Sequence, residues 1–163
     1  MQIQNVRRFV SLLVALTTLS MPAFSQGKNP SKRCSSVGGT MSTNLAVVDQ
    51  STTLGTSTGD LKGAVTAAIL NVTQNQDGTV SFTVQHHLVT ESGDTISFSP
   101  ATAVTMPLSA TRFALLNYPV HIDGGTGRYA NASGDLNSIG EVDLNSGQTI
   151  FRYSGKLCLA NEH

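Results

Sequence analysis

The chain has 163 residues, and its 10 Lys and Arg side chains balance its 10 Asp and Glu side chains, so the formal net charge is zero. This balance excludes the broad basic surface that nucleic-acid-binding proteins use, and the length suits one domain with a single core. Charged residues make up only 12% of the chain, while Thr, Ser, Gly and Asn are abundant. Such a composition is typical of half-buried strands and tight turns, so we expect little or no helix.

The first segment has the pattern of an export signal. Arg7 and Arg8 precede an uncharged, largely apolar run over residues 9–19, which is too short to span a bilayer comfortably. Ala23 and Ser25 then form an A-x-A-like cleavage site. We expect cleavage near Ser25 and a product that is secreted or periplasmic; a retained membrane anchor is the alternative.

The whole chain is expected to divide into three parts. Residues 1–25 are the signal peptide, residues 26–39 are a polar, flexible lead-in, and residues 40–160 form a β-barrel domain. Loss of the two signal-peptide arginines leaves 8 basic against 10 acidic side chains, a formal charge of −2. The sequence therefore predicts no nucleic-acid partner and no membrane span in the mature protein.

Two cysteines, Cys34 and Cys158, lie near the two ends of the mature chain. Paired thiols are expected in an oxidising compartment, and two unpaired thiols are the alternative. Closing so long a loop is worth about 4 to 5 kcal/mol in the chain-entropy model.

The clearest strand lies in Gly78–Val89, where apolar and polar side chains alternate. The residues on its expected inner face are Val80, Phe82, Val84, His86 and Leu88, with His87 on the outer face. Asp77 and Gly78 before this strand form a type I′ turn signal. Residues 61–73 and 79–90 are therefore predicted to be hairpin partners.

Further short runs of this kind follow, separated by Gly, Asn and Asp. Ile96 and Phe98 share a face before Pro100, which ends that strand. Two later strands have inward sets, namely Ala114, Leu116, Tyr118, Val120 and Ile122 in one and Thr149, Phe151, Tyr153, Gly155 and Leu157 in the other. About eight such strands predict a barrel or a sandwich, and a closed barrel of that size holds one small ligand or side chains alone.

The segment from Asp123 to Gly134 carries the most specific motif, D-GGTGRYANAS-G. It resembles the GGTG-x-aromatic-x-x-A-x-G signature of the allene oxide cyclase and dirigent superfamily. The matching residues are Gly124, Gly125, Thr126, Gly127, Tyr129, Ala132 and Gly134. Residues 59–65, 86–95 and 152–158 are also similar to segments of secreted bacterial proteins that carry such a barrel.

The resemblance implies an all-β fold, an eight-stranded antiparallel closed barrel of the allene oxide cyclase type. It also implies a homo-oligomer, commonly a trimer. The acidic and proline pocket residues of the cyclases and the acidic pairs of the dirigent proteins find no matching positions in this chain. No catalytic residue is therefore carried over.

The Gly-rich segment also has a purely physical interpretation. Gly124, Gly125 and Gly127 supply positive φ angles and let the backbone turn tightly at a barrel rim. Thr126 belongs to the same structural loop, and Arg128 is expected to be solvated or paired with an acid, with a role at a pocket mouth as the alternative. A phosphate-binding loop is the more specific functional alternative, but the sequence lacks a Walker-type lysine.

Four side chains are candidates for contact with a ligand in the interior: Phe82, His86, Tyr118 and Tyr153. His86 and His87 point to opposite faces of a strand, so we expect no metal site. The competing interpretation is that all four simply fill the barrel, with His86 neutral and hydrogen-bonded. His121 is expected outside, and the aspartates are read as turn residues.

Three functions remain open at this point. The leading hypothesis is a barrel that binds a small apolar molecule in its lumen, without a cofactor. A cyclase- or isomerase-type enzyme is the second, with His86 or a tyrosine assisting proton movement. A structural homo-oligomer with a packed lumen is the third.

Overall fold

The computed structural model describes residues 32–45 and 48–160. Nine strands and one short 3₁₀ turn, Gly127–Tyr129, make up its regular structure. The strands are β1 (Lys32–Leu45), β2 (Thr52–Ser57), β3 (Gly63–Gln74), β4 (Val80–Thr90), β5 (Thr95–Phe98), β6 (Ala101–Pro107), β7 (Arg112–Gly125), β8 (Ser133–Asp143) and β9 (Gln148–Ala160). The all-β prediction is confirmed, and no helix in these described ranges has the length and apolarity to cross a bilayer.

The sheet closes on itself as an antiparallel barrel. β1 to β4 pair in chain order, as do β7, β8 and β9, and β9 returns to pair with β1 from Lys32↔Ala160 to Asn44↔Gln148. β5 and β6 both lie between β4 and β7, one towards each end, so together they form a single position in the ring, interrupted before Ala101. The nine segments therefore build an eight-stranded closed barrel, as predicted.

The barrel begins earlier in the chain than the boundary predicted at residue 40. β1 starts at Lys32, so eight residues expected in the flexible lead-in are strand. They are ordered because each is paired with β9, and the predicted disulfide between Cys34 and Cys158 joins directly opposed positions of these strands. The predicted signal peptide and residues 26–31 lie outside the described residues.

Alternation places side chains as the sequence indicated in most strands. In β4, Phe82 and Leu88 are buried and His87 is exposed. Ile96 and Phe98 in β5 are buried, as are Tyr153 and Leu157 in β9. The interior is an apolar cluster contributed by every strand except β2, and it includes Val37, Met41, Val65, Leu88, Ile96, Phe98, Ala103, Leu115, Tyr118, Val120, Leu136, Tyr153 and Leu157.

The inward set predicted for β7 is wrong in its first half. Leu115 is buried, with 3% of its surface exposed, whereas Leu116 is 63% exposed. The register shifts between Leu115 and Tyr118, which pair with Gly140 and Ser138, so two residues of β7 oppose one of β8. This β-bulge inverts the alternation, because an extra residue rotates the preceding side chains to the other face. Tyr118 and the residues after it keep their predicted orientation.

The β3–β4 hairpin is confirmed, but its turn is longer than the predicted type I′ turn. The Gly78 N–H donates to the Asn75 carbonyl at 3.2 Å, and the Asn75 N–H donates to the Thr79 carbonyl at 2.9 Å. A three-residue loop with Gly78 at φ +83° gives this pattern. Local side-chain bonds favour it, since the Asp77 carboxylate accepts the Thr79 N–H at 3.0 Å.

The two ends of the barrel differ. One end, which we call the closed end, carries the connections over residues 58–62, 91–94 and 126–132. Leu61 and Tyr129 are buried there, 1% and 5% exposed, and cover the interior. The other end carries the connections after β1, β3, β6 and β8, and we call it the open end.

Candidate ligand site in the barrel lumen

A chamber of about 60 Å³ occupies the half of the lumen nearer the open end. Its rim is formed by Leu45 and Leu144, which lie where β1 and β8 end at this side, and by Ile69 of β3, which lies next to the start of β2. Its walls are mainly apolar and include Met41, Val65, Ala67, Phe82, Ala103 and Leu115. Their inward direction follows from strand alternation, which sends every second side chain into the barrel.

A smaller space of about 20 Å³ continues from the chamber towards the closed end. The two spaces share the side chains of Met41, His86, Tyr118 and Phe151. Tyr153 lines only the inner space. The space nearer the closed end is therefore the smaller of the two.

His86 and Tyr118 meet between the two spaces. The Nδ1 atom of His86 lies 3.4 Å from the Tyr118 hydroxyl oxygen, and the two ring centroids are 5.7 Å apart. Phe98 packs edge-on against the imidazole, with ring centroids 6.2 Å apart. Since the contact is long, it orients the two rings more than it satisfies either polar group.

Burial shifts the pKa values of both groups away from neutrality. Desolvation lowers the pKa of His86 from 6.5 to about 4, and it raises the pKa of the Tyr118 phenol. At neutral pH the imidazole is uncharged and the phenol keeps its proton. The pair can donate and accept hydrogen bonds, but it brings no charge into the lumen.

Tyr153 differs from the other three side chains predicted to contact a ligand, because its hydroxyl is hydrogen-bonded to the backbone. Its hydroxyl donates to the Thr58 carbonyl at 2.8 Å and accepts the Leu61 N–H at 2.9 Å. These bonds tie the β2–β3 connection across the closed end. Phe82, His86 and Tyr118 line the chamber together, whereas the Tyr153 hydroxyl is engaged with the backbone.

The Gly-rich loop lies at the closed end, at the opposite end of the barrel from the chamber mouth. Gly124 and Gly127 have φ angles of +104° and +54°, as the structural interpretation expects. The expectation is wrong for Gly125, which has no positive φ; glycine is needed there because a Cβ atom would overlap the Thr95 carbonyl. Thr126 accepts the Thr95 N–H at 2.9 Å, which fastens the loop to β5. The guanidinium of Arg128 stacks over the Tyr129 ring, 5.2 Å from its centroid, rather than guarding the chamber.

Three threonines of the chamber wall were not singled out from the sequence as candidates. Thr43, Thr53 and Thr149 all line the chamber and are about 5% exposed. Alternation gives their direction, and Thr149 belongs to a predicted inward set. The proximity of the three side chains could not be predicted from sequence, because it depends on how β9, β1 and β2 pair.

The remaining candidates lie on the outer surface. His121 is exposed, as predicted, with its Nδ1 atom 2.8 Å from an Asp135 carboxylate oxygen. Hydrogen bonds in turns lower the pKa of three carboxyls. Asp49 and Asp77 accept first from the hydroxyls of Ser51 and Thr79 and then from the backbone N–H groups of the same residues, and Asp143 accepts first from the Asn145 N–H. Across residues 32–45 and 48–160, no three His, Cys, Asp or Glu side chains are placed so that they could hold a metal ion.

Two solved structures of pterocarpan synthase dirigent proteins, GePTS1 and PsPTS1, are similar to this chain. GePTS1 is 14% identical over 86% of this chain and 100% of its own, with a TM-score of 0.36. PsPTS1 is 13% identical over 80% of this chain and 97% of its own, with a TM-score of 0.35. No protein-family profile and no curated protein matches. These values carry no conclusion about activity, and the predicted likeness to allene oxide cyclases stays a prediction.

Proposed function

We propose that this protein binds a small apolar molecule in the barrel lumen, which enters through the open end. The observation that carries the proposal is the chamber itself, whose lining contains no charged side chain. Apolar walls with a few polar groups are the usual composition of a small-molecule site. A fully packed lumen, as the structural hypothesis requires, would leave no such chamber.

The size of the chamber limits the ligand. Drug-sized molecules occupy pockets of about 300 Å³ or more, and an apolar cavity of about 150 Å³ accommodates benzene. At about 60 Å³, this chamber takes a short alkyl segment or one edge of a small ring. The rest of a larger ligand would lie at the rim against Leu45, Ile69 and Leu144.

Secretion is part of the same proposal. The predicted signal peptide over residues 1–25 and the disulfide between Cys34 and Cys158 both fit an oxidising compartment outside the cytoplasm. The ligand would then be a molecule of the periplasm or the medium.

A cyclase- or isomerase-type activity is the second candidate, favoured by the placement of His86 beside Tyr118 in the lumen. A group that exchanges protons during catalysis works best when its pKa lies near the operating pH. The pKa of His86 is about 4, and burial moves that of Tyr118 further above neutrality. The pair is therefore better suited to orienting a ligand than to moving its protons, and we rank binding first.

The test is an NMR titration of the uniformly ¹⁵N-labelled protein with cyclopentanone and with methylenecyclopentane, two compact rings of nearly equal shape. Saturable shifts of the Val65, Ile69 and His86 amides support lumen binding. Native mass spectrometry of protein purified from its own secretory compartment would identify a natural occupant.

A matched pair of variants locates the site. Ala67 lines the chamber, whereas Ala64 on the same strand is exposed. Ala67→Leu should abolish the saturable shifts because it fills the chamber, and Ala64→Leu should leave them unchanged. Circular dichroism verifies that both variants fold. Equal binding by the two variants would overturn the proposed site.

A further inference from the structure

Three hydroxyls form a row across one wall of the chamber. Thr149 of β9 and Thr43 of β1 occupy directly opposed positions, and Thr53 of β2 lies diagonally next to Thr43, which is paired with Gly55. All three side chains line the chamber. The row therefore crosses three neighbouring strands and faces the lumen, and we call it the threonine row.

The threonine row has more hydrogen-bond donors than its protein partners use. Thr43 and Thr149 are hydrogen-bonded to each other through their hydroxyls. In such a pair one hydroxyl donates, and the proton of the accepting hydroxyl remains free. Thr53 Oγ1 is buried and has no hydrogen-bond partner. Two O–H groups of the row therefore have no acceptor among the protein atoms.

Thr53 differs from the other buried hydroxyls of the described residues in its hydrogen bonding and its position. Thr105 is fully buried, but its hydroxyl donates to the Val80 carbonyl at 2.9 Å. Among the residues described, Ser57 Oγ is also unpartnered, but it lies at the end of β2 nearer the closed end. Thr53 is therefore the buried hydroxyl without a partner that lines the chamber.

An unsatisfied hydroxyl in an apolar interior lowers stability. Leaving a buried polar group unpaired costs about 1 to 3 kcal/mol, and valine has nearly the same shape as threonine without the polar atom. Valine at residue 53 would avoid this cost. Threonine there is explained if a ligand supplies the missing partner.

We infer that the threonine row is a polar subsite that holds a neutral hydrogen-bond acceptor, a carbonyl or ether oxygen, of an otherwise apolar ligand. The inference rests on the proposed lumen binding and adds the chemical class of the ligand. Both free O–H groups can donate to an acceptor oxygen of the ligand. A carboxylate would be buried without a counter-charge, since the chamber lining of the described chain contains no lysine or arginine. The aromatic rings of Phe82 and Tyr118 line the same chamber and would contact the apolar body.

The test compares dissociation constants for cyclopentanone and methylenecyclopentane, which differ by one carbonyl oxygen. Because the ketone gives up its hydration on entering the chamber, the preference for the ketone is taken as the ratio of the two dissociation constants and is compared between variants. Thr53→Val should weaken ketone binding about 3- to 10-fold, the effect of one or two modest hydrogen bonds, while keeping affinity for the hydrocarbon. Thermal unfolding should occur at the same or a higher temperature in Thr53→Val, because it removes an unpaired polar group.

Thr105→Val is the matched control. It removes a satisfied hydroxyl elsewhere in the interior, so it should lower stability and leave the preference for the ketone unchanged. If Thr53→Val weakens both probes alike, or leaves ketone binding unchanged, the subsite is refuted while lumen binding stands. If neither probe binds, the proposed function fails and the subsite fails with it.

Discussion

The imidazole of His86 on β4 and the phenol of Tyr118 on β7 meet across the lumen, with 3.4 Å between His86 Nδ1 and the Tyr118 oxygen. Their strands are not neighbours in this part of the sheet, because β5 and β6 lie between them. The contact therefore spans the interior of the barrel. It places an uncharged, titratable group at the bottom of the open chamber.

Stability should fall as the pH drops from about 6.5 to about 4, because of His86. Its pKa is about 4 in the folded protein and 6.5 in the unfolded chain, so the unfolded chain takes up the proton first. The contribution of the neutral ring is complete above pH 6.5 and is lost as the pH falls towards 4. The loss is at most about 3 kcal/mol, since the ring borders a chamber that solvent can enter.

Urea unfolding at pH 7, 5.5 and 4.5 measures this slope. His86→Leu should remove most of it, and His87→Gln, which changes the exposed neighbour, should keep it. An unchanged slope in His86→Leu would assign the pH dependence to other groups.

Gly39→Ala should severely destabilise the barrel, by about 3 kcal/mol or more. Gly39 lies opposite Tyr153, and a Cβ atom there would lie 2.5 Å from the Tyr153 hydroxyl oxygen and overlap the Thr58 carbonyl. That hydroxyl holds the closed end in place. Gly38→Ala is the control, because its Cβ would make only an ordinary 3.4 Å contact with the Tyr153 carbonyl. Similar denaturation midpoints for the two variants would contradict this packing.

Removing the disulfide should lower the free energy of unfolding by about 2 to 5 kcal/mol. Cys34 and Cys158 are separated by 124 residues, so their bond closes most of the described chain into a loop. The double variant Cys34→Ser/Cys158→Ser should fold, because β1 and β9 remain paired along their length. Urea unfolding with and without reductant is the measurement: reductant should destabilise only the wild type, and a wild type insensitive to reductant would refute the assignment.

The bulge in β7 predicts opposite outcomes for two adjacent leucines. Leu116→Lys should change stability by less than about 1 kcal/mol, since this side chain faces solvent. Leu115→Lys should unfold the protein or cost more than about 4 kcal/mol, because it would bury an unpaired charge. Thermal unfolding of both variants decides between this register and uninterrupted alternation. If Leu115→Lys folds normally and Leu116→Lys unfolds, the uninterrupted alternation predicted from sequence is correct and the bulge is wrong.

Several features followed from local sequence. Alternation in β4 was enough to place Phe82 and His86 inside and His87 outside, because a strand turns successive side chains to opposite faces. Abundant Thr, Ser and Gly, with few charges, indicated an all-β chain. Cys34 and Cys158 were the only two cysteines, so their pairing required no knowledge of the fold.

Other features were decided only by the tertiary structure, because they depend on which strands pair and in which register. The bulge before Tyr118 appears where β7 must fit β8, and the early start of β1 reflects its pairing with β9. The threonine row exists because β9, β1 and β2 bring residues distant in sequence to one wall. Side-chain direction along a strand is a local property, whereas register, closure and the position of a lumen are set by contacts between distant segments.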